Sequence, residues 1–353
     1  MRKGGMSKAL ICRQSGEWHD VLSLEELKLP PEVAKGFSRV RMLAAAIHPS
    51  DFGMIAGTYG KAKVFPCAMG REGVGEVIAL GRGGSERADM GPVGPKAPPQ
   101  NIPRPEGGGR GVGEIKVGDI VRIPEELGVW QEVIDCQSQN LFICPKDLKP
   151  EQLALGFINP PTALRILEDF AALKPGDAVI TNAGKSAVSQ SLIQLGRDRG
   201  LKVHAVVRGK TEGDESWLKS IGAAAVWDET QEYFKEVKAA LALNQVGGPS
   251  VLGLIKALAD HGVCVTIGGA SKELVRYPTR ELIFKDAQLR GFWWDRYLRE
   301  NPAKVRPIME EIWELMRKGK LTQEIAGKYK LTDYAKALTQ AEESRRGKVI
   351  FVW

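Results

Sequence analysis

The hydrophobic and polar positions divide the chain into two parts with different patterns. Up to about residue 150, short runs of β-forming residues alternate with Gly, Pro and polar clusters, which is typical of a β domain. The segment Gly81–Gly113 consists mostly of Gly, Pro and charged residues, so it cannot bury a core, and we predict a flexible insertion there. The predicted strands are Ala9–Cys12, Ser38–Ala45, Gly75–Ala79, Asp119–Ile123 and Val129–Ile134.

Beyond residue 150 the pattern changes to strands that alternate with helices. In the predicted helix Ser186–Arg199, the apolar residues recur at helical spacing and lie roughly on one face. Strand, helix and strand at these lengths indicate right-handed βαβ units and a parallel sheet. The terminal run Val349–Val352 is expected to rejoin the β domain. The predicted elements of this part are Ala178–Thr181, Ser186–Arg199, Lys202–Val207, Ala239–Asn244, Ser250–Ala259 and Gly262–Ile267.

Length and composition favour a soluble globular protein of two domains. The chain has 353 residues, of which 43% are hydrophobic and 26% are charged. It contains no apolar run long enough to predict a membrane span. Its cysteines are odd in number and form no C-x-x-C pair, which is typical of a reducing compartment. These cysteines are Cys12, Cys67, Cys136, Cys144 and Cys264.

The formal charge of +7 comes from Lys and Arg residues that are scattered along the chain. We favour the interpretation that they form a solubilising surface. Attraction to acidic ligands, such as phosphates or an acidic carrier protein, stays open as the alternative. Nucleic acid is disfavoured as a partner, because no aromatic-basic motif accompanies the charge.

A candidate cofactor site follows the predicted strand Ala178–Thr181. The turn Asn182–Val188 opens the next helix, and a helix N-terminus presents free backbone N–H groups to a phosphate. Only Gly184 remains of the usual G-x-G-x-x-G pattern, so an ordinary strand-to-helix turn is the alternative. The next strand ends in Arg208–Lys210, where NAD-binding proteins carry an acidic residue, and a guanidinium there favours NADPH. The glycines of Ile267–Ala270 would let the backbone approach a nicotinamide ring.

The residues predict no metal. Zinc alcohol dehydrogenases of similar layout hold a catalytic zinc by Cys, His and Cys, and a structural zinc by four closely spaced Cys. Here Arg71 stands where those enzymes carry the ligand His, His48 is alone, and the chain has no four-cysteine lobe. Without zinc to polarise a carbonyl, reduction of a C=C bond conjugated to a carbonyl is favoured over alcohol-to-ketone chemistry.

Several motifs together carry a family resemblance. The most specific are Leu243–Gly248, Leu282–Asp286 and Leu289–Trp293, and they are joined by His48–Asp51, Gly57–Gly60, Gly70–Val77, Ile158–Ala163 and Asn182–Gln190. With these motifs, nearly the whole chain outside Gly81–Gly113 resembles the medium-chain dehydrogenase/reductase superfamily, and within it the mitochondrial trans-2-enoyl-thioester reductases. The resemblance implies an α/β fold: a GroES-like β domain of residues 1–155 and 305–353, and a Rossmann-type doubly wound parallel sheet of residues 156–304.

The resemblance also implies a reaction and its site residues. The reaction is the NADPH-dependent reduction of trans-2-enoyl thioesters, on coenzyme A or acyl carrier protein, as the last step of fatty acid elongation. Hydride would pass to Cβ and a proton to Cα, and the family's catalytic Tyr falls on Tyr59, which would polarise the thioester carbonyl. By the same match, Asn159 would contact the nicotinamide, and the pyrophosphate would be bound by Lys185, Ser186, Ala187 and Val188. The 2′-phosphate would be bound by Arg208, Gly209 and Lys210. The cofactor and acyl cleft would be lined by Ile267, Gly268, Gly269, Ala270, Phe292, Trp293, Trp294 and Asp295, and Lys348 would lie near the cofactor.

One segment departs from the family pattern, and two other functions stay open. The family's phosphate loop ends S-G-V-G, whereas this chain has Ser186-Ala187-Val188-Ser189, which bears on the tightness of the turn and on cofactor affinity. A quinone or enal reductase of the same superfamily is the first alternative, and a crystallin-like protein that binds NADPH without turnover is the second. Two interpretations of Lys285 and Arg290 stay equally open: they are charges on the protein surface, or they contact the phosphates of coenzyme A. If Trp293 and Trp294 lie on a strand, at most one of them lines a cleft.

The family resemblance implies a homodimer and a mitochondrial location. The segment Met1–Leu10 has neither the apolar core of a secretory signal nor the length of a convincing transit peptide, so the cytoplasm is the alternative location.

Overall fold

The computed structural model describes residues 5–61, 63–81, 114–343 and 346–353. The predicted insertion Gly81–Gly113 therefore lies outside the described residues, apart from Gly81. The chain divides into two compact units. The first consists of Met1–Phe157, Pro302–Pro307 and Glu324–Trp353, and the second of Ile158–Asn301 and Ile308–Gln323.

The strands and α-helices of the described residues are numbered in chain order. The strands are β1 Met6–Cys12, β2 Leu22–Lys28, β3 Phe37–Ala46, β4 Cys67–Ala68, β5 Gly73–Leu80, β6 Ile120–Arg122, β7 Val133–Gln137, β8 Phe142–Ile143, β9 Ala178–Thr181, β10 Lys202–Val207, β11 Ala225–Asp228, β12 Ala239–Asn244, β13 Leu258–Thr266, β14 Gln288–Gly291, β15 Ile325–Tyr329 and β16 Lys348–Val352. The helices are α1 Trp18–Val21, α2 Pro49–Ile55, α3 Pro150–Leu153, α4 Asn159–Asp169, α5 Ala187–Asp198, α6 Glu212–Ser220, α7 Ser250–Lys256, α8 Thr279–Phe284, α9 Trp294–Glu300, α10 Pro302–Arg317 and α11 Tyr334–Glu342.

The first unit is built from two mainly antiparallel sheets. The larger has the order β15-β16-β3-β5-β6-β8 with β7 also paired to β3, and the smaller has the order β2-β1-β4. In β16, Ile350 pairs with Ala46 of β3, which confirms that the end of the chain rejoins the β domain. The core of this unit includes Met42, Trp130 and Phe351, each completely or almost completely buried.

The second unit contains a parallel sheet of six strands with the order β11-β10-β9-β12-β13-β14. The chain begins this sheet at β9, adds β10 and β11 on one side, and then adds β12, β13 and β14 on the other side. The carboxyl ends of β9 and β12 therefore form the switch point at which ligands bind in open α/β sheets. The predicted α/β fold class is confirmed, and β9 and β10 have the predicted bounds.

The structure differs from the sequence prediction in several details. The predicted strand Val129–Ile134 begins only at Val133, and β2 was not predicted. Helix α7 ends at Lys256 rather than at Ala259, because Leu258 already pairs with Ala239 as the first residue of β13.

The segment Ile308–Gln323 belongs to the second compact unit, whereas the family resemblance implied a β domain that includes residues 305–353. Hydrogen bonds explain this placement, because Gln194 of α5 donates to the carbonyl of Thr322 at 2.9 Å and Gln323 donates to Ser191 at 2.9 Å. Among the helices of the described residues, none combines the length and the apolar character that crossing a membrane requires.

Candidate catalytic and cofactor sites

Tyr59 lies in a tight turn just after α2. The carboxylate of Asp51 accepts from the backbone N–H of His48 at 2.7 Å and so closes the N-terminus of the helix. At the other end, the backbone N–H groups of Thr58 and Tyr59 both donate to the carbonyl of Gly53, at 2.8 and 3.0 Å. The backbone of the predicted catalytic residue is thus fixed, and its half-buried side chain packs against the core of the first unit.

The phenol of Tyr59 is contacted by Arg71, the residue that stands at the position of a zinc-ligand His. One guanidinium nitrogen, Nη1, donates to Tyr59 Oη at 3.0 Å and to Ser50 Oγ at 2.9 Å. The guanidinium carbon lies 4.9 Å from the centroid of the tyrosine ring. Only 3% of the Arg71 side chain is exposed. Sequence analysis selected Tyr59 as the catalytic residue and noted Arg71 only as a missing metal ligand, and it gave no signal that the two side chains are in contact.

Glu125 compensates the charge of Arg71. It lies in a short 3-10 helix, Glu125–Leu127, and its Oε2 accepts from Arg71 Nε at 2.9 Å. It also pairs with Lys61, which follows Tyr59 by two residues, and its backbone carbonyl accepts from Lys63 Nζ at 3.1 Å. Burial works to raise the pKa of Glu125, but the charges of Arg71 and Lys61 outweigh it and lower the pKa to about 2.

His48 is held in a separate buried pair. Its Nε2 lies 2.6 Å from Oε2 of Glu72, whose other oxygen accepts from the backbone N–H of Phe157 at 2.6 Å. Burial, together with the charges of Lys348 and Arg71, lowers the pKa of His48 well below its usual value. Lys348 is itself buried, and its Nζ lies 3.5 Å from the carbonyl oxygen of Ile47.

These residues do not fit a zinc ion. A guanidinium has no lone pair for a metal, and Arg71 occupies the ligand position with its nitrogens committed to Glu125, Ser50 and Tyr59. Within the described ranges, no group of three or more His, Cys, Asp or Glu side chains is arranged to hold a metal.

In the second unit, the turn between β9 and α5 has the geometry of a phosphate-binding turn. Ser186 caps α5, since its hydroxyl accepts from the backbone N–H of Ser189 at 3.1 Å. Ala187 and Val188 begin the helix. Gly184 is required here, because a Cβ would lie 2.9 Å from Val207 and 3.0 Å from Ala205 of β10. The N-terminus of a twelve-residue helix is therefore presented beside the carboxyl end of β9.

The side chain of Gln245, which sequence reasoning missed, organises this turn from the neighbouring strand. Its Oε1 accepts from Ser186 Oγ at 2.8 Å, and its Nε2 donates to Ser189 Oγ at 2.7 Å and to the carbonyl of Asn182 at 3.0 Å. Ser189 stands where the family pattern has Gly, and its hydroxyl accepts a hydrogen bond in this network. The network lies between the carboxyl ends of β9 and β12, at the switch point.

Arg208 follows the carboxyl end of β10 and is exposed. Among the described residues it makes no hydrogen bond or ion pair, whereas neighbouring lysines are engaged: Lys185 with Asp214 at 3.3 Å and Lys210 with Glu215 at 3.0 Å. Gly209 lies between Arg208 and Lys210 in the sequence, and its φ of +62° suits glycine. Arg208 is therefore the cation of this turn that is available to an anionic ligand.

The remaining predicted cofactor residues of the second unit lie at strand ends and at the start of α4. Ile267, Gly268, Gly269 and Ala270 follow β13, and a Cβ on Gly268 would lie 2.8 Å from the carbonyl oxygen of Gln245. Asn159 begins α4, and its buried amide nitrogen has no hydrogen-bond partner in the described part of the chain. A buried amide without a partner costs free energy unless a ligand satisfies it.

The segment Phe292–Asp295 differs from the expectation of a strand. β14 ends at Gly291, Trp293 is the N-cap of α9, and Trp294 is the first residue of that helix. Trp294 is buried and stacks on Tyr297, with ring centroids 5.5 Å apart, while Trp293 is half-buried.

An NADPH molecule fits the features of the second unit. The free cation at Arg208, the glycine-dependent turn at Gly184 and the orphaned amide of Asn159 match a 2′-phosphate, a pyrophosphate and a carboxamide respectively.

Comparisons with known proteins agree with both units. Family models described as "Alcohol dehydrogenase GroES-like domain" and "Zinc-binding dehydrogenase" match residues 35–94 and 221–351. A relative in Caenorhabditis elegans, "Enoyl-(acyl-carrier-protein) reductase, mitochondrial", is 37% identical over 323 residues, which is 89% of this chain and 85% of the relative. The human protein of the same name is 35% identical over 344 residues, covering 94% and 84% of the two chains.

Solved structures share the fold. The mitochondrial 2-enoyl thioester reductase Etr1p/Etr2p heterodimer from Candida tropicalis has a TM-score of 0.82 at 24% identity, and covers 99% of this chain and 100% of that chain. A complex of Etr1p with NADP and crotonyl-CoA has a TM-score of 0.83 at 23% identity, with the same coverage.

Proposed function

The chain belongs to the family of mitochondrial enoyl-(acyl-carrier-protein) reductases, and from this membership we propose that it reduces trans-2-enoyl thioesters with NADPH. The product is the saturated acyl thioester, carried on coenzyme A or on acyl carrier protein. The observation that carries the proposal is the contact of Arg71 with the phenol of Tyr59. It supplies an oriented phenol for a thioester carbonyl at the place where zinc-dependent relatives would polarise a carbonyl with a metal.

NADPH supplies a hydride for Cβ of the enoyl group when it is bound. The chain's own residues bind and orient it: Arg208 and Gly209 at the 2′-phosphate, Lys185 and Ser186 at the pyrophosphate, and Asn159 at the nicotinamide. Tyr59 donates a hydrogen bond to the thioester carbonyl and gives a proton to Cα. A phenol is protonated at neutral pH unless its surroundings change that, which suits a donor.

The other predicted cofactor residues complete this proposal. Ala187, Val188, Lys210, Ile267, Gly268, Gly269, Ala270, Phe292, Trp293, Trp294, Asp295 and Lys348 keep their proposed places around the cofactor and acyl group. Because Trp294 is buried against Tyr297, Trp293 is the tryptophan of the pair that we expect to contact a ligand.

We also propose that the protein is a homodimer that pairs through β14. This strand is the edge of the six-stranded sheet, and every one of its residues is exposed. Large apolar side chains nearby are exposed as well, including Ile283 at 66%, Phe284 at 73% and Leu289 at 42%. An edge strand offers backbone N–H and C=O groups that can pair with another chain, and exposed apolar patches mark interaction surfaces. A mitochondrial location is proposed from the names of the relatives.

The experiment that tests the function measures the loss of NADPH absorbance with crotonyl-CoA, with a quinone and with an enal as separate substrates. We expect turnover of the thioester with NADPH and little with NADH. Turnover of the quinone or the enal alone would favour the other reductases of the superfamily. NADPH binding without turnover of any of the three would favour a crystallin-like protein.

A further inference from the structure

Arg71 does more than neutralise the partly buried carboxylate of Glu125. We propose that Arg71 is a positioning residue for Tyr59: it fixes the direction of the phenol O–H and stabilises the oxygen when the proton leaves. This inference rests on the proposed function, because it concerns the group that donates to the thioester. It adds a residue to the site, at a position where the zinc-dependent relatives carry a metal ligand.

The direction of the phenol hydrogen follows from the chemistry of the two groups. A guanidinium has only N–H donors and no acceptor, whereas a phenol has one O–H donor and two acceptor lone pairs. The 3.0 Å contact between Arg71 Nη1 and Tyr59 Oη can therefore only be donated by the arginine. The phenol hydrogen therefore points away from Arg71, and under the proposed function this is the direction in which it is donated to the substrate carbonyl oxygen.

The contact is held by parts of the chain on both sides of Tyr59. Arg71 is fixed by Glu125 at 2.9 Å and by Ser50 at 2.9 Å. Glu125 also pairs with Lys61 in the turn that carries Tyr59. Contacts therefore run from Tyr59 through Arg71 and Glu125 to Lys61, and the backbone between Lys61 and Tyr59 connects the two ends, which limits the movement of the phenol.

Gly70 allows Arg71 to reach this place. Its φ of +95° lies in the left-handed region, and a Cβ on it would lie 2.4 Å from the indole of Trp130. The chain turns directly against the buried tryptophan, and the side chain of Arg71, the next residue, reaches Tyr59 and Glu125. A side chain at position 70 would require this turn to move.

No bond of Arg71 is formed or broken in the proton transfer. The hydride adds to Cβ and the electron pair of the C=C bond moves toward the thioester carbonyl as the enolate forms. The enolate pair then takes the proton of Tyr59 at Cα, and the O–H electron pair stays on the phenol oxygen. Arg71 donates to the resulting phenolate until water returns the proton. A preorganised donor at a developing oxyanion is worth about a hundredfold to a thousandfold in kcat.

The test compares Arg71→Met with Arg71→Lys, in wild-type and Tyr59→Phe backgrounds, using crotonyl-CoA and NADPH. Arg71→Met keeps the length of the side chain and leaves Glu125 paired with Lys61, so the carboxylate is not left alone. The matched control is Arg39→Met, because Arg39 also pairs with a carboxylate in the first unit, with Nε and Nη2 each 2.7 Å from Asp135. Unfolding temperature and NADPH affinity are measured for every variant.

We expect Arg71→Met to lower kcat by about a hundredfold with a change of less than about threefold in KM. Arg71→Lys should recover part of kcat, since it keeps a donor and the charge. In the Tyr59→Phe background, Arg71→Met should cause no further loss, because the oxygen on which it acts is gone. Arg39→Met should lower stability by a similar amount and leave kcat within about twofold.

Two results would overturn the inference while leaving the proposed function intact. One is an Arg71→Met variant with normal kcat although Tyr59→Phe is inactive. The other is a loss of kcat that is equally large in the Tyr59→Phe background, or equally large in Arg39→Met, which would mean a structural role. By contrast, if the wild-type protein does not reduce the thioester, the proposed function itself fails.

Discussion

We predict that Arg208 determines the preference for NADPH over NADH, and its replacement tests this. The side chain is exposed and makes no hydrogen bond or ion pair within the described residues, so Arg208→Ser breaks no contact seen there. We therefore expect almost no change in the unfolding temperature. The whole effect should be seen in cofactor binding, because the guanidinium would contact only the 2′-phosphate.

The expected loss of affinity follows from the value of one charge-assisted hydrogen bond. Such a bond contributes about 2 kcal/mol, which corresponds to a roughly thirtyfold weaker binding of NADPH. The neighbouring lysines can replace little of this, since Lys210 is paired with Glu215 and Lys185 with Asp214. The affinity for NADH, which lacks the 2′-phosphate, should stay within about twofold, so the preference between the cofactors should collapse.

The assay is a fluorescence titration of each protein with NADPH and with NADH at one fixed salt concentration. Lys202→Ser is the matched control, because Lys202 is exposed at the amino end of the same strand, about 20 Å from Arg208. It removes the same charge and should leave both affinities unchanged. An equal loss for NADPH and NADH, or an equal effect of the control, would refute the assignment of Arg208 to the 2′-phosphate.

Three further predictions concern other parts of the molecule. Gln245→Leu should weaken binding of both cofactors and lower the free energy of unfolding by about 2 kcal/mol, because it removes the hydrogen bonds to Ser186 and Ser189. Calorimetry with and without NADPH measures both effects, and an unchanged cofactor affinity would contradict the prediction. The pKa of Glu125 is about 2 when folded and 4.5 in a model peptide, so its contribution, about 3 kcal/mol, is complete above about pH 4.5 and is lost as the pH falls toward 2. The difference in urea stability between wild type and Glu125→Gln should therefore shrink with falling pH over that window, and a constant difference would argue against the pairing. Leu289→Lys should convert the proposed dimer to a monomer in sedimentation, whereas an unchanged mass would exclude β14 as the interface.

Part of the second unit could be predicted from the sequence because local patterns determine it, whereas α6, β11 and β14 were not predicted. Apolar runs bounded by turn residues gave β9 and β10 their correct bounds, and the helical spacing after Ser186 located α5 to within a residue at each end. The end of α7 was wrong because Leu258 is apolar and fits a helix as well as a strand. Only its pairing with Ala239 decides between them, and that contact is not visible in local sequence.

The candidate sites divide in the same way. Tyr59 and Arg208 could be selected from a motif and from the chemistry of phosphate binding. The roles of Arg71 and Gln245 depend on contacts across 12 and 59 residues of sequence, to Tyr59 and Ser186 respectively. Periodicity and residue type carry no signal for such contacts. Arg71 was noted only as a missing metal ligand, and Gln245 only as part of a family motif.

The most direct test of the proposed function is the turnover of crotonyl-CoA with NADPH by wild type and by Tyr59→Phe. We expect that the wild-type protein reduces the thioester, and that Tyr59→Phe binds NADPH normally but loses about a hundredfold or more in kcat. A wild-type protein that reduces only quinones, or a Tyr59→Phe variant with full thioester activity, would contradict the proposed function.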